Sequence, residues 1–416
     1  MKKYLNSIGQ RAKVASSNRI DTKTKNKVLT KYIYLINKNK KEILKENEKD
    51  IKYAIKKGYK KNLIDRLNLD IKKISIITKS INDIIKLKDP VNVILDKWKR
   101  PNGLMIRKIS IPIGVIGVIY ESRPNVTSDI SSLCFKSGSS VILKGGSEAI
   151  NTNIFLTKLF RKALQINKID PNFVQYINKK DRKIVNFMLS KMENIIDIII
   201  PRGGKNLVKK VKELSKIQII GHLEGICHTY VDKDANLKMA SKIIFNAKLR
   251  NSSICGATET ILMHKDIIKK FCNPILKRLE DNKCKIIGDS FIQKYYNGKI
   301  YKAKNSDWST EYLAPIVSVK SVNNIDQAIS HINKYGTMHT DCIITKNYKT
   351  ASKFTKEIKS SIAIHNASTQ FADGGEFGFG GEVGISTSNL APRGPVGLKQ
   401  LVSYKYEIIG NGQIRK

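Results

Sequence analysis

The stretch Gly114–Gly146, GVIGVIYESRPNVTSDISSLCFKSGSSVILKGG, decides the fold class. Two short apolar runs, GVIGVIYE and SVILKGG, enclose VTSDISSLCF, which reads as a helix. Short uninterrupted Val/Ile runs fit strands covered on both faces, and strand, helix, strand in this order is a βαβ unit on a parallel sheet. The alternation continues on the C-terminal side through SEAINTNIFLTKLFRKALQI as helix and NFVQYI, IDIIIPRGG and IQIIG as strands. A second series starts at HTYVD and runs through DANLKMASKIIFNAKL, ETILMH, APIVSVKS, HTDCIITK and SIAIHN. The expectation is an α/β protein with two domains in tandem, one over residues 1–227 and the other over 228–393.

On the N-terminal side, residues 1 to about 88 carry apolar side chains at helical spacing on a Lys/Glu background, ending before Pro90. The pattern then changes to period two around Asn102-Gly103, a hairpin signal. A two-stranded arm at 98–112 needs its edges covered, and the C-terminal strand candidate at 398–412 is expected to cover one of them at a subunit interface.

The 416 residues carry 76 Lys+Arg against 35 Asp+Glu, a formal net charge of +41. Such a charge ordinarily points to nucleic acid. Here the lysines are spread along the whole chain with no basic arm or aromatic-interleaved stripe, so nucleic acid is not the expected partner. No stretch approaches the roughly eighteen uncharged apolar residues that span a bilayer, and the N-terminus lacks the apolar core of a leader, so a cytoplasmic protein is expected. The six cysteines, Cys134, Cys227, Cys255, Cys272, Cys284 and Cys342, form no Cys-x-x-Cys pair or Cys/His cluster in sequence; neither disulfides nor a metal site is expected.

Among them Cys255 stands apart. It follows a helix in the loop Asn251-Ser252-Ser253 and precedes Gly256, which gives room for a substrate to reach a thiolate. Cys134, Cys272 and Cys342 lie in apolar patterns and read as core. Cys227 beside His228 is the rival, but neighbours on one strand point to opposite faces. Gly145-Gly146 and Gly203-Gly204 each follow a strand and precede a helix, the position at which backbone N–H groups approach phosphates, although neither is a G-x-G-x-x-G fingerprint. Lys144, at the end of its strand, would suit a ribose or a 2′-phosphate.

The residues IGVIGVIYESRPNVTSDISSLCFKSGSSVILKGGSEA, HLEGICHTYVDKDANL, NAKLRNSSICGATETILMH, TEYLAPIVSV, HTDCIIT and GGEFGFGGEVGIST…RGPVGL, in this order, resemble the gamma-glutamyl phosphate reductases, a branch of the aldehyde dehydrogenase superfamily. The resemblance runs from LIDRLNLD to YKY and implies an aldehyde dehydrogenase-like fold: a Rossmann-type cofactor domain, an α/β catalytic domain and a small β oligomerisation arm.

The resemblance implies NADPH-dependent reduction of L-glutamyl 5-phosphate to glutamate 5-semialdehyde and phosphate through a cysteine thioester, the second step of proline biosynthesis, by a homo-oligomer. The upstream glutamate 5-kinase is a candidate protein partner. Cys255 matches the nucleophile, with Asn125, otherwise readable as a helix N-cap, as oxyanion donor. Lys144, Gly145, Gly146, Gly203, Gly204 and Glu311 match cofactor positions, Glu311 being otherwise a solvent-facing loop residue. Arg123, Asn366, Ser368 and Arg393 are candidates for substrate binding.

The glutamate base of oxidising relatives is replaced by His222, with Glu224 two residues on, which fits a reductase that must spare its thioester from water. The chain departs from the family in RNSSIC, where Gln-Arg-Pro is usual before the cysteine, and in Gln370, where arginine is common; both are expected to weaken anion binding. The alternatives are another acylating or oxidising aldehyde dehydrogenase and a degenerate, basic, nucleic-acid-binding relative.

Overall fold

A computed structural model describes residues 1–415 apart from Ser122 and Arg182. In chain order, five helices come first: α1 (Lys2–Ser16), α2 (Thr22–Lys38), α3 (Lys40–Lys56), α4 (Lys61–Leu67) and α5 (Ile71–Lys86). The strands β1 (Ile94–Lys99), β2 (Met105–Pro112) and β3 (Val115–Tyr120) follow, then α6 (Pro124–Lys136), β4 (Ser140–Gly145), α7 (Ile150–Ile166), β5 (Val174–Tyr176), α8 (Lys183–Lys191), β6 (Ile198–Arg202), α9 (Lys205–Leu214) and β7 (Gln218–Ile219). The second series is β8 (Cys227–Val231), α10 (Leu237–Leu249), β9 (Thr258–His264), α11 (Lys265–Asp281), β10 (Lys285–Gly288), α12 (Ser290–Tyr295), β11 (Ile300–Lys302), β12 (Ile316–Val322), α13 (Ile325–Tyr335), β13 (Thr340–Ile344), α14 (Tyr348–Glu357) and β14 (Ile362–His365). Short strands β15 (Gly384–Ser386) and β16 (Gly394–Val396) precede β17 (Val402–Ile409).

The chain forms two compact units, one of residues 1–221, 378–384 and 396–416, the other of residues 222–377 and 385–395. His222 and Gly225 thereby belong with Cys255.

The first unit is built on a five-stranded sheet in the order β5-β4-β3-β6-β7, parallel at every pairing. Every residue of β3 and of β4 is buried, which is why these strands read as continuous apolar runs with no alternation. The helical N-terminus supplies part of the same core, with Val28, Leu29, Tyr32 and Ile36 of α2 packing in one cluster with Val118 and Leu143. The long periodic run of residues 29–59 is two helices, broken at Asn39, whose side-chain amide donates to the Leu35 carbonyl at 2.7 Å. The start of α7 is capped from a distance. Buried Asp50 on α3 accepts the Asn151 and Thr152 N–H groups at 3.1 and 2.8 Å, fixing the chain just after Gly145-Gly146.

β1 and β2 form an antiparallel hairpin around Gly103, whose φ of +87° is open to glycine without strain, and β17 pairs antiparallel with β2 from Val402 opposite Pro112 to Ile409 opposite Met105.

The second unit holds a seven-stranded sheet in the order β11-β10-β12-β9-β8-β13-β14, again parallel at every pairing. Its two outer strands on one side, β10 and β11, have four and three residues. The sequence reading did not single them out.

Candidate active site

Cys255 sits in the loop between α10 and β9, and both ends of that loop are pinned by buried polar contacts. At the helix end, Gln370 accepts from Arg250 Nε at 2.8 Å and donates to the carbonyls of Ala247 and Asn251 at 2.9 and 3.2 Å. At the strand end, Thr258 Oγ1 lies 2.8 Å from Thr229 Oγ1 and 3.0 Å from Thr369 Oγ1, tying β9 to β8 and to the segment after β14. Beneath the loop, Lys248 and Glu259 form a wholly buried ion pair, and Glu259 also accepts the Leu313 N–H at 3.3 Å. Gly225 completes the seat. A Cβ at this residue would run into the Cys255 carbonyl, so only glycine lets the two backbones lie this close.

The thiol faces two histidines. Ligand atoms of His222, Cys255 and His339 all lie within 4.8 Å of one another, and the two imidazoles meet edge to face with ring centres 4.9 Å apart. His222 Nδ1 is 2.9 Å from the Ile385 carbonyl; because that oxygen can only accept, Nδ1 carries the proton and Nε2 is the ring's other functional atom. His339 is wholly buried, with Nδ1 at 2.9 Å from Thr340 Oγ1. Burial by itself pushes the Cys255 thiol up, but His339 and His222 together outweigh it and hold the group well below the ordinary thiol range.

The remaining cysteines move the other way. Burial raises Cys134 and Cys227, and it pushes Cys272 and Cys342 up to about 12 and Cys284 to about 11. The rival Cys227 is a structural neighbour of the nucleophile, its Sγ donating to the Cys255 carbonyl at 3.1 Å. Cys227 does not meet His228, whose Nδ1 is engaged by Asp341 at 2.9 Å inside the core.

Other expected positions are placed as follows. Glu311 is not solvent-facing: it is half-buried, its Oε1 accepts the Gly225 N–H at 2.9 Å, and burial raises its carboxyl. Asn366 gives both ends of its amide to the Thr345 backbone, at 2.9 and 2.8 Å, and with φ +57° it braces the turn after β14. Ser368 is buried and caps a short 3₁₀ turn. Arg393 is exposed and donates to the Lys359 carbonyl at 2.6 Å. Gln370, expected to leave an anion grip weakened, instead serves as the clamp on α10 described above.

In the first unit, Lys144 is buried at the end of β4, its ammonium donates to the Gly145 carbonyl at 2.7 Å, and burial lowers its pKa. Gly145 and Gly146 have no room for a Cβ, which would press on Asn153 and on the Glu148 carboxylate respectively. Gly203 and Gly204 form the turn between β6 and α9, and the Gly204 N–H is held by Glu121 Oε2 at 2.8 Å. Asn125 is not an N-cap. Arg123 occupies the cap position of α6, and Asn125, inside the first turn, donates to Asp129 at 3.1 Å.

His339 is the functional candidate that sequence reasoning missed. It lies just ahead of the core strand β13, in the HTDCIITK run, and nothing in its spacing from Cys255 marks it; only the pairing of β13 with β8 brings it to the thiol.

A parallel sheet in each unit and a low-pKa cysteine after a helix of the second define the aldehyde dehydrogenase class. The model of the Aldehyde dehydrogenase family matches residues 11–307 and 299–405. The chain is 47% identical over 397 residues to the gamma-glutamyl phosphate reductase of Caldanaerobacter subterraneus subsp. tengcongensis, covering 95% of both chains, and 43% identical over 410 residues to that of Brucella suis, covering 98% and 97%. The crystal structure of gamma-glutamyl phosphate reductase from Thermotoga maritima superposes with a TM-score of 0.96 at 38% identity, covering 99% of this chain and 100% of that one. The chain belongs to the gamma-glutamyl phosphate reductase family.

Proposed function

We propose that the protein reduces L-glutamyl 5-phosphate to L-glutamate 5-semialdehyde and phosphate with NADPH, the second step of proline biosynthesis from glutamate. The observation that carries the chemistry is the Cys255 thiol, held low by His222 and His339 while every other cysteine with a resolved shift is raised.

Cys255 Sγ attacks the acyl carbon, and the phosphate leaves with the C–O electron pair, which leaves a thioester on Cys255. When bound, the nicotinamide cofactor supplies the hydride that this thioester accepts. The resulting alkoxide collapses, releasing the aldehyde and returning the thiolate to its two imidazoles. The Cys255 backbone N–H and the Asn125 side chain are the proposed donors to the oxyanion. The glutamate base of oxidising relatives is replaced by His222, whose Nδ1 proton is given to the Ile385 carbonyl, and this is in keeping with a thioester spared from water.

The cofactor reading fits the chemistry of the first unit. A glycine turn leads into the N-terminus of the ten-residue α9, where the Gly204 N–H is held by the Glu121 carboxylate; a phosphate would take that carboxylate's place, and Lys144 adds a cation at the end of β4. Lys144 favours NADPH over NADH through the 2′-phosphate, Gly145 and Gly146 let the chain turn beside it, and Glu311 is the proposed partner of the ribose hydroxyls. Arg123, Ser368 and Arg393 remain candidates for the substrate's phosphate and carboxylate, with Asn366 bracing the turn after β14.

No helix among the described residues is long and apolar enough to cross a membrane. A cytoplasmic location, a homo-oligomer assembled through the β1–β2–β17 arm, and contact with the upstream glutamate 5-kinase complete the proposal. Exposed Ile94, Leu95, Tyr406 and Ile408 on the arm support the oligomer.

The test is the reverse reaction: glutamate semialdehyde, phosphate and NADP as substrates, with reduced cofactor as readout. Turnover that needs phosphate, is not supported by coenzyme A and is lost in Cys255→Ala is expected; a Cys255→Ala variant as active as the parent would remove the assignment.

A further inference from the structure

We propose that His222, Cys255 and His339 form a zinc-binding site that traps the nucleophile and switches the enzyme off reversibly. Two imidazoles and a thiolate are a zinc donor set, and zinc accepts three protein ligands with a fourth position left to water. The three ligand atoms lie within 4.8 Å of one another. Tetrahedral zinc, with Zn–S of about 2.3 Å and Zn–N of about 2.0–2.1 Å, places such atoms about 3.3–3.6 Å apart. Closing the set therefore needs shifts of at most about 1.5 Å, within the reach of small side-chain rotations.

Two further observations point to a ligand here. His339 is wholly buried, its Nδ1 is engaged by Thr340, and its Nε2 has no hydrogen-bond partner, which is an orphaned nitrogen in the core beside a thiol. His222 gives its Nδ1 proton to the Ile385 carbonyl, the outer contact that typically orients a metal-binding imidazole. Cys255 itself is only half-buried, so an ion can reach it.

The nearby Cys227 does not join the set. Its thiol donates to the Cys255 carbonyl and lies 3.5 Å from His339 Nδ1, the nitrogen engaged by Thr340, and burial raises the thiol well above its ordinary range. On binding, the proton shared between the thiol and the imidazoles leaves to solvent, and no bond other than the three coordinate bonds forms. The nucleophilic electron pair is then held by the metal, so zinc and acyl phosphate exclude each other.

Cobalt(II) is the spectroscopic probe, added to the whole protein with no substrate present, so the outcome does not depend on what the enzyme reduces. One equivalent should give a sulfur-to-cobalt charge-transfer band, displaced by zinc and absent in Cys255→Ala. In alkylation assays, zinc should protect the Cys255 thiol, and His222→Ala and His339→Gln should each weaken that protection at least tenfold, with folding checked by circular dichroism. A chelator should restore the parent's full thiol reactivity. Absence of the charge-transfer band would overturn the proposal. So would zinc protection at the same concentration in parent and both histidine variants, since this means the thiol binds metal alone.

Discussion

Lys248 Nζ lies 2.5 Å from Glu259 Oε2, and neither side chain is exposed at all. The two residues bracket the nucleophile loop, one at the end of α10 and the other at the start of β9, so their pairing sets the distance between the loop's ends. Burial raises the Glu259 carboxyl to about 7, with Lys248 pulling against that rise. Lys248→Met leaves a buried acid without its cation and should cost about 3–5 kcal/mol of stability in denaturant unfolding. The double variant Lys248→Met/Glu259→Leu should recover most of that loss, because a buried ion pair adds little over an apolar pair of similar volume.

Gly225 seats the Cys255 backbone, so Gly225→Ala must push the two segments apart. The overpacking should cost about 1–3 kcal/mol. Activity should fall further than stability, by about a hundredfold in kcat, since a displacement near 1 Å is enough to spoil attack geometry. Steady-state kinetics at a temperature well below the unfolding transition check this.

The direction of the Cys255 shift fixes a pH profile. A lowered thiol pKa means that the deprotonated form persists as pH falls below the ordinary value of 9.0, and is lost only at the lower folded value. Iodoacetamide labelling of Cys255 should therefore show its inflection well below pH 9. His222→Ala or His339→Gln should move the inflection upward. The inflection is the quantity to read, because a low-pKa thiolate is also intrinsically less nucleophilic.

Gln370 accepts from Arg250 and donates to two carbonyls at the end of α10. Gln370→Ala should cost about 1–3 kcal/mol through the groups it strands. Gln370→Arg, the residue common in the family, should also destabilise, because it removes the acceptor of Arg250 and sets two cations face to face. Thermal unfolding of the three proteins compares them; a Gln370→Arg variant more stable than the parent would contradict the clamp.

Much of this protein was legible in its sequence. The apolar runs VIGVIY of β3 and VIL of β4 announced buried parallel strands because each is covered on both faces, and the Asn102-Gly103 hairpin was legible because turn chemistry is local. Cys255 was legible as a cysteine in a loop of small residues. The strands β10 and β11 were not singled out.

What the sequence determined by itself was the class of fold, the resemblance to the reductases and Cys255 as the candidate nucleophile, all of which depend on local pattern and residue order. What only the tertiary structure decided was the state of that nucleophile. His339 acts on Cys255 because β13 lies beside β8, Glu311 reaches the Gly225 N–H from a separate loop, and Gln370 closes on Arg250 from beyond β14. Electrostatic and hydrogen-bond forces depend on distance in space, and residues far apart in the chain acquire a distance only when the sheet is formed.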